Sequence, residues 1–540
     1  MKKVLFLAIS ILLFRVASSQ VFIESQDLTR LTTVTSENVI LEPYTQKVLS
    51  YTKNQHITLS HTNEGKSMFT LMKNGQNISA ENVTLGSEFN VKDFDIYGST
   101  LYFCGSYNND GIDEAFLGYV DIDDFFAPMN YVPLEIPKIK YTLINNIYQD
   151  SIFSINRIEV FQDSTNIVVA GIGKMYYGEP PYAKKVWDTT GQHNTIFDPI
   201  EYYLDFFMLY TIKEDSILTN QQEVDTGAFP IYNVTNDFEM FYVPTDTVNS
   251  CYYNKFADIT ETDNKIYLTS INYSNTSIWD SLNHATYIDI IAFDKQTRQQ
   301  QAGRITLPYF VHQAYGVKTT AMDYDNISIV CNLCCDNQHN NYACAFKISP
   351  NPNAIFNISN ISLFDYLAGR FGVLDVEFLE TRRELVILKK SIIDGSKEDL
   401  VFHLKMNTNV SYPYYSYKYK ITHKDYYLCY SDLNKSDTSN YTIIGSVNNN
   451  FMFVYDTKNV AYLEDSPCFT KETFQVTTLS PFSVNPITPL SQCKFSKQIT
   501  SSGNIFTGTL YLSTDVHKTV INLQSIPFKK NSVLNNCCLK

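Results

Sequence analysis

The sequence predicts an all-β chain in which one small sheet recurs along most of its length. Three observations carry this. Tyr and Phe are abundant, at 39 and 35 of 540 residues, and aromatic and β-branched residues suit a pleated, half-buried surface. Seven short apolar runs are each followed, after a turn or loop, by a second run. No stretch has the Ala- and Leu-rich character of a long helix. The first members are 57–62 (ITLSHT), 101–106 (LYFCGS), 167–172 (IVVAGI), 266–271 (IYLTSI), 328–333 (SIVCNL), 385–390 (LVILKK) and 442–447 (TIIGSV). Their partners lie at 68–72, 115–121, 202–212, 286–294, 342–347, 399–405 and 451–456. A recurring pair of this kind is the mark of one supersecondary unit repeated.

Around each pair a four-strand grammar can be traced. In the second unit 94–97 is a first strand, Gly98-Ser99 a turn, 101–105 a second strand, 115–121 a third and 131–136 a fourth. The fourth unit reads likewise at 256–260, 266–271, 286–293 and 303–307. Four short antiparallel strands cannot bury both faces alone, and stacking like units around an axis solves that. Over roughly 45–465 the chain therefore resembles the β-propeller architecture in general. Seven blades is the expected count, with six and eight as alternatives. The second strands begin 44 to 99 residues apart, so the period is loose, and no blade signature of a named family is present. Closing the ring calls for an extra strand from a terminus, since an open ring leaves bare edges, and 38–43 (NVILEP) could supply it. The expected organisation is a signal peptide over 1–19, the propeller over 20–463, and a small C-terminal β appendage over 464–540, with a hairpin at 504–512 and 518–523.

The start of the chain sets the compartment. Lys2 and Lys3, the apolar run 4–14 and Ala17-Ser18-Ser19 before Gln20 read as a secretory signal. The apolar run is too short to span a bilayer, and no later stretch approaches the length a membrane helix needs. The mature chain is expected to be exported, to a periplasm, a cell surface or the extracellular space, and a bacterial source is favoured. The formal charge of -14 is spread thinly, and it disfavours nucleic acid or an anionic membrane as partner. Eleven Cys in an exported chain allow disulfides, and the odd count leaves one over. Cys468 and Cys493, which flank a Pro-rich segment, are the pair expected to close a loop. Eleven N-x-S/T sequons, Asn326, Asn357, Asn434 and Asn440 among them, are glycan acceptors only in a eukaryotic secretory host.

In a four-stranded blade the loop between second and third strands opens on the same face as the connection to the next blade. The third unit's loop is very long and carries Tyr176, Tyr177, Trp187, Asp188 and His193. The fourth unit's loop carries Trp279, Asp280 and His284. Both tryptophans of the chain thus fall in equivalent loops of neighbouring blades. Flat aromatic surfaces with Asp and His between them suit a ligand such as a glycan or a peptide. The competing reading makes Trp187 a plug for its own loop.

Other motifs have plainer readings. Cys331-x-x-Cys334-Cys335 with His339 and Cys344 has the look of a zinc site, but the spacing fits no closed ligand set and a disulfide is the better reading. Asn109-Asp110-Gly111-Ile112-Asp113-Glu114 reads as a strand-joining turn rather than a calcium loop. The run 412–420 (YPYYSYKYK from Ser411) suits an outer strand. There is no nucleophile elbow and no phosphate-cradling loop. The expectation is an exported binding or scaffolding module with no metal or cofactor, more a binder than an enzyme. The alternatives are a polysaccharide hydrolase or lyase on a propeller scaffold, and a structural surface or matrix protein.

Overall fold

A computed structural model describes residues 22–24, 47–52, 55–61, 66–73, 79–109, 112–125, 129–134, 140–143, 146–149, 151–163, 166–176, 185–187, 193–195, 203–212, 235–242, 253–274, 285–306, 311–335, 340–351, 356–367, 371–391, 398–405, 417–422, 428–447, 451–456, 469–473, 476–478, 482–487, 491–498, 509–510 and 521–522. Among these, seven sheets of four or five antiparallel strands follow one another along the chain. Blade 1 comprises Lys47–Thr52, Gln55–His61, Ser67–Lys73 and Ser79–Thr84. Blade 2 comprises Phe89–Tyr97, Thr100–Asn109, Ile112–Asp121 and Met129–Pro133. Blade 3 comprises Ser151–Asp163, Asn166–Tyr176, Tyr203–Ile212 and Thr235–Tyr242. Blade 4 is Tyr253–Glu261, Lys265–Ser274, Ala285–Asp294 and Gln300–Thr306; blade 5 is Val311–Ala321, Ile327–Cys335, Asn340–Pro350 and Phe356–Leu367. Blade 6 is Phe371–Leu379, Glu384–Ser391, Glu398–Lys405 and Tyr417–Thr422; blade 7 is Leu428–Lys435, Tyr441–Val447 and Phe451–Asp456. The first strands contact one another in sequence and the last returns to the first. This is a closed seven-bladed β-propeller, as the repeat predicted.

Both ends of the chain fasten the ring. Blade 7 takes its fourth strand from Phe22–Glu24, which pairs with Phe451–Asp456 so that Ile23 lies opposite Val454. The segment 38–43, expected in that role, lies outside the described residues. At the other end the chain turns back along the ring. Phe469–Thr473 adds a fifth strand to blade 6, Val476–Thr478 to blade 5, Ser483–Pro486 to blade 4 and Ser491–Gln498 to blade 3. Thr509–Leu510 and Ile521–Asn522 do the same for blades 2 and 1. The tail is thus a belt around the outside, not a hairpin on one side: its strands pair with blades. The physical reason is that each blade's fourth strand is an open edge. Phe482 also packs edge-on against Phe346 of blade 5, with centroids 5.7 Å apart.

The belt bears on the cysteines too. Phe469, next to Cys468, pairs with Ile421 of blade 6, whereas Cys493 lies opposite Met240 of blade 3. Cys468 itself lies outside the described residues, and with it the expected Cys468–Cys493 pair.

The core lies between blades. Alternation along each second strand sends one set of side chains to the preceding blade and the other to the next. Ile57, Leu59 and Phe69 of blade 1 meet Phe94, Leu101, Phe103 and Phe116 of blade 2. Comparable clusters fill the seams between blades 2 and 3, 3 and 4, 4 and 5, and 5 and 6. Blade 1's opposite face, toward blade 7, is more polar: His56, Thr58, Ser60 and Thr70 are all buried there.

Candidate functional site

A first strand at the ring centre is an edge strand: alternate N–H groups point away from its one partner and need an acceptor. The chain supplies these acceptors from neighbouring blades. Ile158 N–H donates to Asp93 Oδ2 at 2.9 Å and Val160 N–H to Asp95 Oδ2 at 2.6 Å. Thr319 N–H donates to Asp258 Oδ2 at 2.7 Å. Leu433 N–H donates to Asp375 Oδ2 at 3.2 Å and Lys435 N–H to Glu377 Oε1 at 3.1 Å. Val48 N–H donates to Asp432 Oδ2 at 2.7 Å, and Ser50 N–H to Asn434 Oδ1 at 2.9 Å, which closes the circle from blade 7 to blade 1. Asn434 is one of the sequon asparagines, and here its amide is part of the ring closure.

A β-bulge aims these groups. The pairing of first with second strand slips between Val91 and Asp93, Ile155 and Arg157, Phe256 and Asp258, Tyr315 and Lys318, Val373 and Asp375, and Tyr430 and Asp432. In six blades the residue directly after the bulge is charged. Bulges bend a strand and re-aim the side chain that follows. In blade 5 the bulge contains Gly316, whose φ of +58° is a conformation that an L side chain rarely adopts.

The result is a ring of charges at one level: Lys47, Asp93, Arg157, Asp258, Lys318, Asp375 and Asp432 on blades 1 to 7. Lys47 Nζ is 2.9 Å from Asp93 Oδ1 and Arg157 Nη1 is 2.5 Å from Asp258 Oδ1. Burial opposes the charge of Lys47, but Asp93, Asp95 and Glu159 outweigh it and hold the ammonium above its ordinary range. Burial likewise opposes the Arg157 guanidinium, and Asp258, Asp93, Asp375 and Asp432 together raise it. Acids from both sides of the ring act on Arg157, which places it toward the axis. Two residues further along lies a second level, Asp95, Glu159 and Glu377, without cations of its own. Burial pushes Asp95 up to about 6, against the pull of Lys47. Burial and the neighbouring Asp375 push Glu377 up to about 7. Burial and then Asp95 push Glu159 well above the usual carboxylate range.

Past the rings, the turns that join first and second strands are also linked blade to blade. Asp325 of blade 5 accepts from Thr262 Oγ1 at 2.9 Å, from Asn264 N–H at 2.8 Å and from Asn264 Nδ2 at 2.9 Å. Thr381 of blade 6 donates to Thr438 of blade 7, from N–H at 3.0 Å and from Oγ1 at 2.9 Å.

Of the residues that the sequence singled out, Tyr176, Trp187 and His193 are among the described ones, at the other end of the strands. Tyr176 ends the second strand of blade 3, opposite Tyr203. Trp187 and His193 are register partners in a separate hairpin, Lys185–Trp187 with His193–Thr195, inside the second-to-third loop of blade 3. A second hairpin, Lys140–Leu143 with Asn146–Gln149, stands in the connection from blade 2 to blade 3 and sets Tyr141 opposite Tyr148. Both hairpins open from the same face beside the same blade. Tyr177, Trp279 and His284 lie outside the described residues.

The remaining motifs sort simply. Cys331 lies opposite Cys344 on second and third strands of blade 5, both buried thiols, while Cys334 and Cys335 lie opposite Asn341 and Asn340. His339 lies outside the described residues. Asn108 Nδ2 donates to Asp113 Oδ1 at 3.0 Å across the strand pair that the 109–114 turn joins. Tyr417–Thr422 is the outer strand of blade 6, covered by the belt.

No protein-family model matches this chain, and no curated protein matches it. Among solved structures it is similar to a mutant of NanB sialidase from Streptococcus pneumoniae, at 9% identity and TM-score 0.32 over 77% of this chain and 92% of that one. It is similar to Drosophila Semaphorin 1b, extracellular domains 1-2, at 6% identity and TM-score 0.29 over 65% and 85% of the two chains. It is also similar to β-1,2-mannobiose phosphorylase from Listeria innocua, at 11% identity and TM-score 0.26 over 79% and 97%. At these scores the similarities carry no functional argument. The class rests on the sheet topology: a seven-bladed propeller with an ion-paired axis and a loop-rich face. Among the described residues no helix is long and apolar enough to cross a membrane.

Proposed function

We propose that the chain is an exported binding module that takes its ligand, a glycan or a peptide, on the face from which the two hairpins beside blade 3 emerge. One observation carries the reading: Trp187 and His193 are direct cross-strand partners on a hairpin that belongs to no blade. A strand pair outside the sheets is not needed to build a blade, which supports recognition as the role of its residues. The axis supports the same choice from the other side. Its acids and cations are paired with each other and with backbone N–H groups of neighbouring blades, so they hold the scaffold together. Tyr176 at the end of the second strand of blade 3, Tyr177 just after it, and Trp279 and His284 in the equivalent loop of blade 4 complete the proposed surface.

The test is a glycan and peptide array probed with the full chain and with Trp187→Ala, Trp279→Ala and the double variant. Loss of about tenfold or more in affinity for a common hit, with thermal stability unchanged, supports the reading, since a buried aromatic anchor is worth at least that. Binding that survives the double variant removes both indoles from the site.

A further inference from the structure

The seven first strands set Lys47, Asp93, Arg157, Asp258, Lys318, Asp375 and Asp432 side by side in ring order. Read around the circle, the signs run plus, minus, plus, minus, plus, minus and then minus again. An even ring could alternate throughout. A ring of seven cannot, so one neighbouring pair must be alike. Here that pair is Asp375 on blade 6 and Asp432 on blade 7.

The contacts at this junction differ from the others. Lys47 meets Asp93 and Arg157 meets Asp258 as ion pairs, whereas here one acid follows another, and Asp375 accepts from the N–H of Leu433, the residue next to Asp432. Two ionised carboxylates brought side by side repel each other and are acceptors only, so a hydrogen bond between them needs a proton on one. Each acid also accepts a backbone N–H, Asp375 from Leu433 and Asp432 from Val48. The groups facing the pair are Glu377 from blade 6, Lys47 from blade 1, Lys318 at the neighbouring ring position of blade 5 and, toward the axis, Arg157. Lys47 and Arg157 have closer acids of their own. Counting one proton on the pair, three cations face three anions and the ring is neutral. We propose that Asp375 and Asp432 bind a single proton between them at neutral pH, and that this shared proton, required by the odd number of blades, joins blade 6 to blade 7. Burial and the adjacent Asp375 push Asp432 well above the usual carboxylate range, in agreement. An acid held above its unfolded value lends its full stability at low pH and loses it as the pH rises through the folded value. Alkali therefore loosens this seam.

The experiment compares thermal unfolding of the full chain, Asp432→Asn and Asp93→Asn from about pH 6 to about pH 9. In Asp432→Asn the new amide can donate to Asp375 as the acid does, while its oxygen still accepts from Val48. Asp432→Asn should therefore lose about half or less of the Tm that the wild type loses over that range, and match or exceed it at the alkaline end. Asp93→Asn, which strips an anion from between Lys47 and Arg157, should melt lower throughout. A wild-type pH slope in Asp432→Asn, or a loss at alkaline pH equal to that of Asp93→Asn, overturns the proposal. Should Asp432→Asn fail to fold, infrared spectroscopy of the wild type and Asp375→Asn decides. A protonated-carboxyl band at neutral pH that weakens in Asp375→Asn supports the shared proton, and a band of unchanged strength, or none, contradicts it.

Discussion

Asp258 does more than any other single residue in the ring. It is 4% exposed, pairs with Arg157 of the preceding blade and accepts both the N–H and the hydroxyl of Thr319 in the following one. Removing one partner of a buried ion pair leaves the other uncompensated, which costs about 3 kcal/mol or more. Asp258→Ala should therefore lower the free energy of unfolding in urea by about that amount, with an unchanged m-value. A second residue-scale prediction concerns pH. Burial holds Asp95 near about 6 and Glu377 near about 7, each above the ordinary value. Both lend full stability below their unfolded values and lose it as pH rises through those points. Melting temperature should thus fall between mildly acid and mildly alkaline pH, and Glu377→Gln should flatten the upper part of that fall.

At the scale of the element, the bulge is the device that converts a strand into a blade-to-blade connector. The sequence displays its product: Asp93-Phe94-Asp95, Asp258-Ile259-Thr260, Asp375-Val376-Glu377 and Asp432-Leu433-Asn434 each stand shortly before a second strand. Reading apolar alternation alone finds the strands but passes over these triplets, because the signal lies in the polar positions between the apolar ones. The second strands were legible for the opposite reason, being buried on both faces and so nearly continuous in apolar residues. Gly316 tests the element directly. A Cβ there would sit 3.1 Å from Asn332 Nδ2 and 3.4 Å from the Val373 backbone, on a left-handed φ. Gly316→Ala should cost about 1–2 kcal/mol, read as a shift in the urea midpoint, whereas Gly98→Ala, with nothing near its Cβ, should show only the backbone strain.

For the whole molecule, the number of blades was legible and the fastening of the ring was not. Seven similar runs announce seven sheets. Nothing in 464–540 announces that its strands, of two to eight residues, belong to six different sheets, since an alternating pattern does not say which edge it meets. The site was legible only in part: the loop carrying Trp187 and His193 stood out by length, while the axial charges did not. The belt makes a testable difference. A chain ending at residue 463 bares the outer edges of blades 1 to 6, and unpaired edges invite aggregation. That truncation should yield aggregated or markedly less stable protein by size-exclusion chromatography and thermal melting. A monodisperse truncation with the melting temperature of the full chain would show the belt to be dispensable.

The central claim is that inner-strand carboxylates and the Asn434 amide stitch each blade to the next through backbone N–H groups that have no strand partner. Hydrogen exchange followed by mass spectrometry across the segments holding Val48 and Ser50, Ile158 and Val160, Thr319, and Leu433 and Lys435 reads this directly. Protection comparable to the second strands, lost at Thr319 alone in Asp258→Ala, is the result expected. Exchange of these amides as fast as that of an open edge would contradict the account.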